Sequence, residues 1–336
     1  MTKRIEWPFM SGVVFLGVLF SLFSFYGRAY GSEDKFPSRP IQIYSGLAAG
    51  GTVGTVSTAI SMIMPKYIGQ PVVVNYKPGA MQIPAADFVA NSKPDGYTLF
   101  TILEPDFISR ILQDPPVDLK EGDFVALGGA GFTPFIMVTC KGRPWKSLEE
   151  LIADAKKNPG EYTFGSTGIG GTSHIVMEVF QKEAGIKLVH VPFKGGAPRQ
   201  TACLGGHIDT SSSTFMISGA HIKSGEQRAL VIFDDHRNPK FPDVPTFREK
   251  GYSGRGGVWQ KICAPKGLPK PIYDRLVEAL RKTFNDPEFG PMLSKTEIDP
   301  VYFTPEESNK RTKEEYAISY EVLKKIDLLN KDASKK

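Results

Sequence analysis

The chain has few of the residues that usually advertise chemistry. Three cysteines, Cys140, Cys203 and Cys263, are spread through 336 residues with no C-x-x-C among them. That excludes zinc ribbons and thioredoxin-like redox motifs. An oxidising compartment would allow one disulfide with one cysteine left over, but the preferred reading is three small buried hydrophobes. The five histidines all lie beyond residue 170 and show no ligand spacing, and H-E-x-x-H is absent, so no metal is expected. Phe164 stands where a G-x-S-x-G around Ser166 would need its first glycine. The run Gly168–Ser173 lacks the third glycine of the dinucleotide fingerprint, and no P-loop lysine follows it. No cofactor is therefore expected. Lysine and arginine do not cluster with aromatics, which argues against nucleic acid.

Long apolar runs are also scarce. The one present, uncharged from Phe9 to Tyr26, follows Lys3 and Arg4 and precedes the small-x-small site Ala29-Tyr30-Gly31. This is the pattern of a secretory leader over 1–31, with a retained membrane anchor as the alternative. Cleavage removes Lys3, Arg4 and Arg28 against Glu6, and takes the formal charge from +5 to +3. The rest, about 300 residues, suits two α/β lobes and is expected to be soluble and extracytoplasmic.

Periodicity gives the elements. Pro40–Tyr44 reads as a strand, and Val56, Ala59, Ile60, Ile63 and Met64 form an apolar helix stripe. Strands at Val72–Asn75 and Tyr97–Leu103 flank a helix near Ala85–Ala90, a β-α-β-α-β opening that predicts a parallel sheet. Phe135–Thr139 is a further strand, and Ser147-Leu148-Glu149-Glu150 is a capping box. Next comes strand Tyr162–Phe164, a Gly/Ser/Thr loop over Gly165–Ser173, a helical segment from His174, and strand Lys187–Pro192 ending in Lys194-Gly195-Gly196. Short strands at His207–Thr210 and Ala229–Phe233, an extended crossover at Gly256–Pro265, and helices from Pro271 and Thr304 complete the chain.

Three Gly-rich loops, Gly50-Gly51, Gly79-Ala80 and Gly165–Gly171, each follow a strand. In an open α/β sheet such loops line the ligand crevice. The third opens onto a helix and is expected to leave backbone N–H groups free, a seat for an anion. Each single residue has a plainer reading beside this one. His174 could line a pocket or merely cap its helix. Lys194 reads better as a solvated turn lysine, Trp259 as core, and Glu104 and Asp106 as a solvated loop.

Taken in order, FPSRPIQIYSGLAAGG, IGQPVVVNYKPGA, KPDGYTLF, SLEELIADAKKNPGEYTFGSTGIGGTSH, GIKLVHVPFKGGAP, LGGHID and FPDVPTFREKGY resemble the Bug-type (TctC-like) solute receptors of tripartite tricarboxylate transporters. The resemblance covers nearly the whole mature chain. It implies a type II periplasmic-binding-protein fold: two α/β lobes, two crossovers and a cleft. Lobe one would be 36–134 and 260–336, and lobe two 135–259. It also implies a periplasmic receptor that delivers a small organic acid to membrane permease subunits and performs no turnover. Ligand contacts are then expected from Gly50, Gly51 and Thr52, from Ala80 and Met81, and from Ser166, Thr167, Gly170, Gly171 and Thr172, with Lys194 and Gly195 at the rim. Gly54 and Thr58 stand where the family commonly has Asp and Arg, and the second loop reads Met81-Gln82-Ile83-Pro84, so no particular acid follows. A ligand-sensing receptor and a secreted hydrolase using Ser166 or Ser173 are the rival readings.

Overall fold

Ile41 and Ile43 are fully buried while Gln42 and Tyr44 are half-covered, the two-residue period that makes β1 (Ile41–Ser45). The computed structural model describes residues 36–49, 51–252 and 255–331, so the expected leader at 1–31 lies outside the described residues. Helix α1 (Thr52–Ile63) buries Val53, Val56, Ala59, Ile60 and Ile63 along one stripe. The short α2 (Pro65–Ile68) ends at Gly69, whose φ of 86° gives a left-handed stop. Then follow β2 (Val72–Tyr76), a tight turn at Ala80–Gln82, α3 (Ile83–Ala90), β3 (Thr98–Leu103), α4 (Glu104–Leu112) and β4 (Phe124–Pro134).

A second set comes next: β5 (Ile136–Thr139), α5 (Leu148–Lys157), β6 (Thr163–Ser166), α6 (Thr172–Ala184), β7 (Val189–Pro192), α7 (Gly196–Gly205), β8 (Thr210–Ser213), α8 (Phe215–Lys223) and β9 (Arg228–Ile232). The chain closes with β10 (Gly257–Pro265), α9 (Lys270–Phe284), α10 (Phe289–Ser294), β11 (Asp299–Phe303) and α11 (Pro305–Lys325).

Two sheets result, ordered β11-β4-β10-β3-β1-β2 and β7-β6-β8-β5-β9. In the first, β1 runs parallel to β2 and β3, and β10 is antiparallel to both β3 and β4. In the second, β6 runs parallel to β7 and β8. The chain passes between sheets twice, from Pro134 to Ile136 and from Ile232 to Gly257. This is the α/β, two-lobed, two-crossover architecture expected. One apolar core, built on Met137, Phe164, Met177, Phe180 and Phe233, takes in Val53, Leu103 and Val258 from the first sheet's elements.

One expectation is overturned. Cys140 and Cys203 are joined in a disulfide 63 residues apart in sequence, and only Cys263 is a free buried thiol. The pair is brought together because Cys140 follows β5 and Cys203 lies on α7, both covering the same face of the second sheet. Nothing in linear spacing reports that.

Candidate functional site

Parallel strands put their carboxyl ends on one edge. In the first sheet these ends are Ser45, Tyr76 and Leu103, and from that edge start α1, α3 and α4. In the second they are Ser166, Pro192 and Ser213, giving α6, α7 and α8. None of these six helices has a side-chain hydrogen bond at its N-cap: Gly51, Gln82, Leu103, Gly171, Gly195 and Thr214 all lack one. Ser147 and Thr304 cap α5 and α11, whose starts lie elsewhere, while α2, α9 and α10 also lack a side-chain cap bond. Six helix N-termini thus keep first-turn N–H donors and positive dipole ends for something other than their own caps.

The two edges face each other and touch. Asp106, in the first turn of α4, accepts from the backbone N–H of Thr172 at 3.0 Å and from its hydroxyl at 2.5 Å. Ser109 Oγ and Gln113 Nε2, also from α4 and its end, both donate to the carbonyl of Gly170, the latter at 3.0 Å.

These contacts correct two expectations. Glu104 and Asp106 are not a solvated loop: they open a helix, and Glu104 is fully buried. Its carboxylate meets Lys261 Nζ at 3.1 Å and accepts from Thr312 Oγ1 at 2.6 Å. The loop before α6 also does not leave its N–H groups free. Thr167 N–H donates to Ser173 Oγ at 2.9 Å, Gly168 N–H to Ser166 Oγ at 3.2 Å, and Gly170 N–H to His174 Nδ1 at 3.0 Å. Gly171 N–H reaches the carbonyl of Gly168 at 3.4 Å. The anion seated on α6 is the Asp106 carboxylate, supplied by the opposite edge. The sequence signal was present in Glu104-Pro105-Asp106: two acids and a proline directly after a strand are first-turn residues of a helix.

Of the other expected site residues, Gly50 lies outside the described residues. Gly51 is the N-cap of α1. Thr52 is nearly buried, and the Gln260 amide, oriented to satisfy its neighbours, accepts the Thr52 hydroxyl at 3.3 Å. Ala80, Met81 and Gln82 have φ of 39°, 51° and 77°, three consecutive non-glycine residues in left-handed conformation. Such strain persists only where surroundings enforce it. Here Gln82 does so, donating to the carbonyl of Leu103 at 3.0 Å and accepting its N–H at 2.8 Å, which leaves Ala80 exposed at the bend. Lys194 is exposed, and Gly195, φ 102°, is the N-cap of α7. Trp259 is fully buried as core.

Ser166 is fully buried, with Oγ 2.6 Å from His190 Nε2. His190 was not singled out from the sequence. Its ring stacks on His174 at 3.7 Å and on Phe164 at 4.9 Å. Burial, then the neighbouring His174, pushes the His190 pKa down to about 4. Burial likewise lowers that of His174, whose Nδ1 accepts the Gly170 N–H, so its proton sits on Nε2. An imidazole that weakly basic, with no carboxylate ion pair to orient it among the described residues, makes a poor general base for Ser166.

The family model described as tripartite tricarboxylate transporter family receptor (TctC) matches residues 56–328. The chain is 33% identical over 282 residues to the UPF0065 protein in the gbd 5' region of Cupriavidus necator, covering 82% of this chain and 83% of that one. It is 30% identical over 281 residues to protein BugT of Bordetella pertussis, covering 82% and 86%. Among solved structures, periplasmic binding protein BugD superposes with a TM-score of 0.71 at 28% identity, covering 88% of this chain and 99% of that one. MatC of Rhodopseudomonas palustris, solved with bound malate, gives 0.71 at 25% identity, covering 86% and all of its own length. The two-sheet architecture, the facing helix N-termini and a family match running through nearly all of the described residues agree: the chain belongs to the TctC family of tripartite tricarboxylate transporter receptors.

Proposed function

We propose that this protein captures a small organic acid in the cleft between its two lobes and presents it to the permease subunits of a tripartite tricarboxylate transporter, without chemical turnover. The observation that carries this reading is the convergence of helix N-termini on two facing strand edges, where the starts of α1, α3, α7 and α8 carry neither a side-chain cap bond nor a first-turn acid. Malate in the related MatC supports a carboxylate as the ligand class. The leader sequence supports a periplasmic location, and no helix among the described residues is long and apolar enough to cross a membrane.

The lobes divide at the two inter-sheet passages, and lobe one supplies contacts from Gly50, Gly51 and Thr52 and from Ala80 and Met81. Lobe two contributes Lys194 and Gly195 at the rim. Contact from Thr172 requires the Asp106 carboxylate to withdraw from α6, and contact from the N–H groups of Thr167 and Gly170 requires them to leave Ser173 and His174. The test is calorimetric titration of the purified, leader-free protein with malate, succinate and adipate. One-to-one binding with the acid recovered unchanged supports the reading. Failure of all three to bind, or steady product formation, overturns it.

A further inference from the structure

Arg199 lies in the first turn of α7 and is 1% exposed. Its stem passes over β6 at Gly165, where an added Cβ would come within 3.1 Å of Arg199 Cγ. The head reaches the last residue of β8, and Nη2 donates to Ser213 Oγ at 2.9 Å. The guanidinium therefore sits at the strand edge from which α7 and α8 start. Among the described residues no carboxylate forms an ion pair with it, and its Nε has no hydrogen-bond partner. Burial alone lowers its pKa, to about 10, with no acidic neighbour acting against it. Lys261 shows the usual arrangement for a buried cation: two carboxylates, Glu104 and Glu121, at 3.1 and 2.7 Å. Buried charges are paired because desolvation of a lone ion is costly. Thr214, the N-cap of α8, adds a second donor here, since its hydroxyl is buried and also unpartnered. A buried cation, an idle hydroxyl and two uncapped helix starts share one lack, which is an anion.

We propose that Arg199 is the specificity-determining cation of lobe two and seats one carboxylate of the ligand, while the lobe-one loops hold another. The ligand class is then an acid with at least two carboxylates. This rests on the binding function proposed above. Arg199 is closed off from solvent and its helix packs on α8, β6 and β8, so access to the seat requires movement within lobe two. An added Cβ at Gly165 would meet Ile208 Cδ1 at 2.5 Å and the arginine stem at 3.1 Å, so the absent side chain leaves room for both.

The experiment is titration of wild type, Arg199→Gln and Arg199→Lys with malate, succinate and adipate, and with lactate as a one-carboxylate control, beside ligand-free melting curves. Wild type should bind at least one of the diacids and prefer it to lactate. Arg199→Gln should lose roughly ten- to a hundredfold in affinity for that diacid and most of its preference over lactate. Its ligand-free Tm should stay the same or rise, because an unpaired buried charge has been removed. Arg199→Lys, which keeps the charge without the fork, should recover part of the affinity. Unchanged affinity in Arg199→Gln, or a collapse of ligand-free Tm in both variants with no loss of affinity in the folded fraction, would show a purely structural arginine. If wild type binds none of the acids, the binding function falls, and this inference with it.

Discussion

Single titratable side chains carry most of the pH sensitivity. His190 is held neutral in its stack, with a pKa near 4 against about 6.5 when unfolded. Between those values the unfolded chain binds a proton that the folded chain does not, so stability falls as pH drops from about 6.5 to about 4 and is flat in this respect below. His174 acts in the same direction. Glu315, pushed up to about 7 by burial and then by Glu104, works in the opposite sense: its contribution is full below the ordinary carboxylate range and is lost as pH rises to about 7. The two slopes overlap, so each is visible only by difference. His190→Gln should shrink the acid-side fall by roughly 2 kcal/mol in a urea series between pH 7 and pH 4. Glu315→Gln should hold its low-pH stability up to pH 7. Parallel pH profiles for wild type and either variant would refute that assignment. Gly170 is a simpler case. Its φ is +69° and a Cβ would fall 2.5 Å from Gln113 Nε2. Gly170→Val should therefore destabilise the ligand-free protein, by about 2 kcal/mol in chemical denaturation, where an open cleft wall would have tolerated it.

At the level of elements, the Asp106 contact couples α4 to α6. Asp106→Asn keeps the shape and removes the charge, so the bond to the start of α6 loses its charge-assisted character. A loss of about 1–2 kcal/mol in unfolding free energy from chemical denaturation is expected, and no change would mean that the two helix starts do not hold each other. The Cys140–Cys203 link constrains a 63-residue loop. Replacing both cysteines by serine should cost about 2–4 kcal/mol, read in the same way. These long-range partners explain what the sequence hid. Strands with clean alternation or caps such as Ser147 and Thr304 were legible because their signals are local. Strand β4 was not, because its centre, Gly128-Gly129-Ala130-Gly131, has only one methyl group and so no alternation to read. The reason is packing from other parts of the chain: Trp259 lies 3.0 Å from where a Gly129 Cβ would be, and Gln260 lies 2.7 Å from that of Gly131. The loops of the site could be located from glycine placement. That Asp106 faces Thr172, or that Arg199 lies buried over Gly165, depends on how helices pack across sheets, which no local pattern encodes.

Across the whole molecule, the two lobes differ in how the chain builds them. Everything in the second sheet, and the disulfide that braces it, comes from one unbroken stretch between Ile136 and Ile232. The first sheet needs both ends of the chain, since Leu103 on β3 pairs with Gln260 on β10. The ion pair between Glu104 and Lys261 joins residues 157 positions apart. Closing so long a loop costs entropy before any contact rewards it, and non-local pairing slows folding. The passages at Pro134 and Gly257 therefore set an order of events as well as a geometry. The second lobe should complete first and act as the clip that brings β10 to its place beside β3. Pulse-labelled hydrogen exchange during refolding of the oxidised protein lacking residues 1–31 should show amides of β5, β6 and β8 protected before those of β3 and β10. Simultaneous protection would mean that the two lobes fold as one cooperative unit.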